Sequence, residues 1–386
     1  MSLMLQILRL MSEKKASDVY LSAQSPALIK INGQCVPINN QLLSPGATRS
    51  LLAEVVPPDR IEELEETGEL NMAIPVTGVG RFRISAMRQR GSYAAVIRYI
   101  TGEIPKLSTL NLPPVLADLI MQRRGLLLMV GATGTGKSTT LASMIDYRNE
   151  NAWGHILTIE DPAEFLFKNK KSVINQREIG TDTASLQVAL KNALRQAPDV
   201  IMIGEIRDRE TMSAAIAYAQ TGHLCLATMH ANNSYQALNR ILSFYPVEVR
   251  GTMLGDLSSA LRAIVSQRLL RTTDGQRIPA AEILINTVLI ADYIERGDFN
   301  GVKEAMEKSM AEGSQMFEEH IAQLIQDRVI DRSEGLAHAD SPTNLMWRLQ
   351  NNQTKAANAN QMAAQAELDP LSEEATFTEF SLDVTH

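Results

Sequence analysis

The run Gly131-Ala132-Thr133-Gly134-Thr135-Gly136-Lys137-Ser138-Thr139 spaces its glycines, lysine and serine as G-x-x-x-x-G-K-S. Glycines at those places let backbone N–H groups turn inward onto phosphate oxygens, and a helix starting at the lysine adds positive potential. Lys137 would then reach the β- and γ-phosphates of a nucleotide, and the Ser138 hydroxyl would ligate Mg²⁺. The flanks suit this chemistry: apolar LLLMV precedes the loop and helical STTLASMID follows it. A chance glycine-rich turn would explain neither flank.

Three further stretches carry groups such a site would need. HILTIEDPAEF ends an apolar run in Glu160 and Asp161, with Glu164 nearby. Acids at the carboxyl end of a sheet strand face the place where ligands gather, and could hold Mg²⁺ through its waters or orient an attacking water. For Asp161, before Pro162, a turn or helix-capping role is an equal alternative. IMIGEIRDRE puts Gly204 where a metal-binding aspartate usually closes such a strand, and Glu205 one step later. The glycine leaves room beside the γ-phosphate, and Glu205 can act as general base or water-positioner. The competing role, capping the next helix, falls better to Asp208. TGHLCLATMH brackets a strand of about 23 Å with His223 and His230, too far apart to share a metal. His230, at the carboxyl end, is the candidate γ-phosphate sensor; His223 is read as a loop or subunit contact.

Arg81, Arg83, Arg88, Arg90 and Arg98 crowd eighteen residues of an earlier segment. Arg81 and Arg83 share one strand face, opposite Phe82 and Ile84. Alone, this reads as a solvated basic face. Beside a phosphate-transfer site, it reads as cations for the developing charge, supplied by a small domain laid over a neighbouring nucleotide.

The elements that must place these residues follow from periodicity. LLLMV, HILTI, VIMI and LCLATM are short apolar runs interleaved with helical sequence, as in a parallel sheet with crossover helices. TDTASLQVALKNALRQ sets Leu186, Ala189, Leu190, Ala193 and Leu194 on one face. Past residue 250 the pattern is mostly helical, broken by strand-like AAEILI. Residues 1–100 form a small α+β unit: a helix built on Met4, Leu5, Leu8, Leu10 and Met11, a hairpin from ALIKI through Asn32-Gly33 to QCVPI, two helices opened by Ser44-Pro45 and Pro57-Pro58, then strands NMAIPV, GRFRISAM and SYAAVIRYI. A linker is expected at 101–113, the larger α/β domain at 114–352, and a disordered acidic tail at 353–386.

Composition narrows the partners. No apolar run approaches a membrane span, and SLMLQILRLMSEKKASD reads as an amphipathic helix and not a signal peptide. Cys35 and Cys225 are too far apart in sequence to form a metal-type pair, which suits a reduced cytoplasmic protein. The tail carries Glu367, Asp369, Glu373, Glu374, Glu379 and Asp383 against Lys355, so most of the chain's net charge of −7 lies there. A near-neutral body with an acidic tail is a poor nucleic-acid binder.

Taken in order, GATGTGKST, TIEDPAEF, ALRQAPDVIMIGEIRDRE and TGHLCLATMHANNS resemble the Walker A motif, acidic box, atypical Walker B and histidine box of the secretion-ATPase superfamily, over residues 1 to about 350. The resemblance is to the type IV pilus retraction motors of the PilT/PilU group. It implies an α/β fold: a RecA-like P-loop ATPase domain with a smaller N-terminal PAS-like α+β domain. It also implies a homo-hexamer with ATP and Mg²⁺ between subunits, and N-domain arginines completing the site, Arg83 and Arg98 fitting best and Arg90 next. The expected activity is ATP hydrolysis driving pilus retraction and twitching motility, at the cytoplasmic face of the inner membrane on a pilus platform protein. Assembly-type relatives commonly carry a tetracysteine zinc module, which two isolated cysteines cannot build. PilT proteins typically carry A-I-R-N-L-I-R after the last strand; here LIADYIE puts Ala291 and Glu295 where the arginines would stand. With the acidic tail, that points to the PilU-type branch, accessory to a PilT-like paralogue. The alternatives are an autonomous PilT-type motor, a RecA-like nucleic-acid translocase, and a non-motor regulatory subunit docking through FTEFSLDV.

Overall fold

The computed structural model describes residues 2–31, 33–100, 103–308 and 312–351. The acidic tail expected at 353–386 lies outside them. By backbone contacts the chain forms two units: Met1–Leu269 with Arg277–Met316, and Leu270–Gln276 with the chain from Phe317 onward. In the smaller unit, helices Phe317–Gln326 and Arg332–His338 are followed by helical residues 342–351, and buried Glu318 accepts from the Ser341 N–H at 2.7 Å.

The larger unit contains two sheets. The first is antiparallel, with strands β1 (Asp18–Leu21), β2 (Pro26–Ile31), β3 (Gln34–Leu42), β4 (Glu69–Val76), β5 (Gly80–Gln89) and β6 (Ser92–Ile100) in the order β3-β2-β1-β6-β5-β4. Helix Leu3–Glu13 starts where Ser2 accepts the Leu5 N–H at 3.4 Å. It buries Met4, Ile7, Leu8 and Met11 at i, i+3, i+4 and i+7. Leu5 and Leu10, expected on that face, are only half-buried, because Ile7 takes the central place. Helix Pro58–Thr67 ends at Gly68, whose φ of 82° lets the chain turn back into β4. These helices pack on Val19, Phe82, Ile84 and Ile97 in a core of their own.

The second sheet holds β7 (Gly125–Val130), β8 (Gly154–Glu160), β9 (Ser172–Glu178), β10 (Val200–Ile203), β11 (Leu224–Met229), β12 (Leu261–Arg271) and β13 (Arg277–Ile285), ordered β13-β12-β7-β11-β10-β8-β9. Pairing is parallel from β12 through β9. Strands β7, β10 and β11 are buried along their whole length, which is why they read as unbroken apolar runs.

Two strands differ from expectation. SVINQRE forms edge strand β9, whose alternating apolar residues are too few to stand out. LRAIVSQRLLR, expected to be helical, is β12: helix Arg250–Ala260 stops and the chain runs straight into the sheet beside β7. Leu, Ala, Arg and Gln favour helix locally, but a place between two sheet strands overrides that preference. Helix Leu186–Ala193 buries Ala189, Leu190 and Ala193, with Leu186 packed against the core at its margin. Leu194 is instead exposed, since the chain tightens into a 3₁₀ turn over Leu194–Gln196. Among the described residues no helix is long and apolar enough to cross a membrane.

Candidate active site

Strand β7 stops at Val130, and the chain loops through Gly131–Gly136 before helix Lys137–Asn151 begins. The glycines are required by geometry. A Cβ on Gly131 (φ 156°) would lie 2.6 Å from the Gln267 carbonyl and from Thr135 Oγ1; Gly134 and Gly136 have φ of 80° and 86°. Lys137 is buried and donates from Nζ to the carbonyls of Gly131 and Ala132, at 2.8 Å each. Burial pulls its pKa down, and the carboxylates of Glu205 and Glu164 push back.

The other motifs meet this loop at the carboxyl ends of β8, β10 and β11. Glu160, the last residue of β8, is buried and accepts from Thr158 Oγ1 at 2.7 Å and Gln176 Nε2 at 3.1 Å. Burial raises its pKa, and those hydrogen bonds act against the rise. Gly204 follows β10 and packs tightly on β8. Its N–H donates to the Ile159 carbonyl at 2.8 Å, and a Cβ there would sit 3.1 Å from the same oxygen. The missing side chain thus serves the approach of two strands at the cleft floor.

Glu205 reaches in both directions. One oxygen lies 3.1 Å from His230 Nε2, and the other is held by the Arg207 guanidinium at 2.7 and 2.8 Å. Asp208 caps the next helix, accepting the Thr211 N–H at 2.8 Å. His223, before β11, lies 3.2 Å from both the Tyr218 carbonyl and Thr221 Oγ1, at the opposite end of the strand from His230. A cleft of about 630 Å³ is lined by Lys137, Ser138, Glu160, Asp161, Glu205, Arg207 and His230 together with Thr133 and Gly134.

The arginines of the first sheet divide. Arg83, on β5, lines that cleft. Arg98 is its register partner on β6, but its Nε donates to Asp18 at 2.9 Å and it is not among the cleft's residues. Arg88 donates to the Glu65 carbonyl and lies over the Tyr93 ring, while Arg90 is exposed at the β5–β6 turn with φ of 47°. Arg81, two residues before Arg83, pairs with Glu178 at the end of β9. Glu178 also accepts from the Ala163 N–H at 3.4 Å, so this pair ties β5 to the acidic-box loop.

Breaking that buried pair from one side should be costly. Arg81→Ala strands a carboxylate that is 5% exposed, at about 3 kcal/mol. In thermal unfolding Arg81→Ala should therefore melt earlier than wild type, and Arg81→Ala/Glu178→Ala should lose less than the two single losses added. Additive losses would mean that the two side chains are not energetically coupled.

Arg207, Gln176, Glu178 and Gln267 have no motif of their own. Arg207 stands two residues from the glutamate it holds, a proximity plain in the sequence. Gln176, Glu178 and Gln267 lie on β9 and β12, the two strands whose residues show no clear alternation.

A model of the type II/IV secretion system protein family matches residues 3–366. The chain is 48% identical to the type IV pilus ATPase PilU of Pseudomonas aeruginosa over 88% of its length and 89% of that protein. It is 34% identical to the type IV pilus retraction ATPase PilT of the same organism, over 88% and 98% of the two chains. The crystal structure of the pilus retraction motor PilT with bound ADP superposes with a TM-score of 0.82 at 37% identity, covering 89% of this chain and 98% of that one. With the four motifs gathered at one cleft, the chain belongs to the type II/IV secretion system protein family and, within it, to the PilT/PilU group of type IV pilus ATPases, with more identity to PilU than to PilT.

Proposed function

We propose that this chain is an ATP-hydrolysing motor of type IV pilus retraction, working as a hexamer and as the PilU-type accessory to a PilT-like paralogue. The observation that carries the reading is the Glu205–His230 contact of 3.1 Å in the same cleft as Lys137. The phosphate loop and its lysine hold the nucleotide's phosphates. Glu205 takes a proton from the attacking water, and His230, on the same carboxylate, registers whether the γ-phosphate is present. Arg83 meets the charge that develops on the transferred phosphoryl group.

The hydroxyl of Ser138 and the carboxylates of Glu160 and Asp161 are hard oxygen donors in one cleft, a set that suits Mg²⁺. Ser138 would hold the ion directly, with Glu160 or Asp161 acting through water. The ion would neutralise charge on the β- and γ-phosphate oxygens. Arg98, engaged with Asp18 in its own chain, is the candidate to serve a neighbouring copy's nucleotide. The partners proposed are the PilT-like paralogue and an inner-membrane platform protein at the pilus base, reached from the cytoplasm.

Phosphate release by the purified chain, alone and mixed with a PilT-type motor, tests this reading. Mg²⁺-dependent turnover that rises more than additively on mixing is the expected result. Strictly additive rates would assign an autonomous motor, and no turnover in either sample would overturn the motor reading. Salt-sensitive stimulation by single-stranded DNA would replace the pilus motor with a nucleic-acid translocase.

A further inference from the structure

The phosphate loop depends on a residue outside its own motif. Gln267 lies on β12, beside the start of the loop, because Ser266 is in register with Val130 at the end of β7. It is 2% exposed. Its Nε2 donates to the carbonyl of Thr135 at 2.8 Å, and its Oε1 accepts from Thr140 Oγ1 at 2.8 Å. The opposite orientation of the amide would set two oxygens against each other at Thr135, so this partner set fixes which end is the donor.

The bond to Thr135 acts on one particular peptide. In a planar trans peptide, the C=O of Thr135 and the N–H of Gly136 point in opposite directions. Holding that carbonyl on the β12 side therefore turns the Gly136 N–H toward the loop interior, where a phosphate oxygen would accept it. Gly136 has φ of 86°, and a Cβ on it would lie 2.7 Å from Gln267 Nε2. Glycine alone fits beside the amide, yet its freedom would also let the peptide turn over if nothing held it.

We propose that Gln267 is a positioning residue of the phosphate loop, fixing the Thr135–Gly136 peptide with its N–H toward the nucleotide, and that Thr140 acts through it. This rests on the proposed function above, since it assumes that the loop holds phosphates. A brace on the loop is felt as soon as the diphosphate binds, so ADP and ATP should be affected alike. Losing one hydrogen bond of this kind corresponds to roughly tenfold in affinity.

The test is ADP binding by calorimetry with steady-state hydrolysis beside it. For Gln267→Leu, Kd for ADP and KM for ATP should both rise about tenfold while kcat falls less than about twofold. Thr140→Val should weaken ADP about threefold, and the double variant should be no worse than Gln267→Leu alone. A merely structural glutamine would lower the melting temperature without this division between KM and kcat. Wild-type ADP affinity in folded Gln267→Leu would overturn the brace alone, whereas a wild-type chain that binds no ADP would overturn the proposed function with it. If Gln267→Leu does not fold, Thr140→Val decides, and unchanged affinity there overturns the proposal.

Discussion

Glu205→Ala should bind nucleotide within about threefold of wild type and hydrolyse it about 10²–10⁴-fold more slowly, the range a general base contributes. Its position supports both halves of that expectation. The carboxylate contacts His230 and Arg207 and is not among the groups bonded to Lys137 or to the loop carbonyls. Removing it leaves the phosphate cradle intact. Glu205→Gln separates two ways of losing activity. The amide retains an oxygen for Arg207 but is not basic enough to take a proton. If Gln is as slow as Ala, proton acceptance is the lost function; if Gln restores the rate, Glu205 serves by placing its neighbours. Full turnover by the alanine variant would remove it from the chemistry. Single-turnover measurements with nucleotide bound beforehand keep binding and hydrolysis apart.

The Arg207 contact adds a condition to that mechanism. The Arg207 guanidinium covers one of the two Glu205 oxygens at 2.7 Å, so a water must displace it to reach that oxygen. Arg207 is itself 65% exposed at its side chain, so little holds it in place apart from Glu205. If Glu205 is the base, turnover requires Arg207 to move aside or to turn toward the phosphates. The three residues Glu205-Ile206-Arg207 in this way carry both the proposed base and the cation that covers it.

What could be read from sequence was what is local. The phosphate loop, the acid ending β8, the Gly204-Glu205 step and His230 each lie at the end of a short apolar run, and the strand end defines the site. What could not be read depends on contacts between distant residues. Gln267 reaches the loop only because β12 pairs beside β7, and its own segment carries helix-forming residues with no strong alternation. Arg83 and Arg98 are equivalent in sequence terms and adjacent in the sheet; Asp18, eighty residues from Arg98 along the chain, separates their roles. Gly204 lines the cleft, and a Cβ on it would also meet the backbone of Ile159 and Glu160, a contact that only the pairing of β10 with β8 creates. The LIADYIE departure falls in helix Val288–Arg296, with Ala291 half-buried and Glu295 exposed. Those two positions bear on the PilU-type assignment through the cations they lack, and they lie outside the set of residues lining the cleft.

Lys137→Ala should give the largest loss of nucleotide binding. Nζ now donates to the carbonyls of Gly131 and Ala132, and the same ammonium is the one cation of the loop that can follow the phosphates. Hydrogen bonds to charged groups contribute about 1.5–3 kcal/mol each, so losing the lysine's contact with the β-phosphate, the one of its two phosphates that ADP keeps, should weaken ADP by up to about a hundredfold. Ligand-dependent stability gives a reading independent of turnover. At a nucleotide concentration of 100 times the wild-type Kd, wild type gains about 2.7 kcal/mol, whereas a variant weakened a hundredfold gains only about 0.4 kcal/mol. The shift in melting temperature on adding ADP should therefore fall to a small fraction in Lys137→Ala, while Glu205→Ala keeps most of it. The contrast separates the residue that holds the phosphates from the residue that acts on water. Equal ADP-induced shifts in wild type and Lys137→Ala would mean that backbone N–H groups hold the phosphates unaided, and the lysine would then have to be placed in the chemical step.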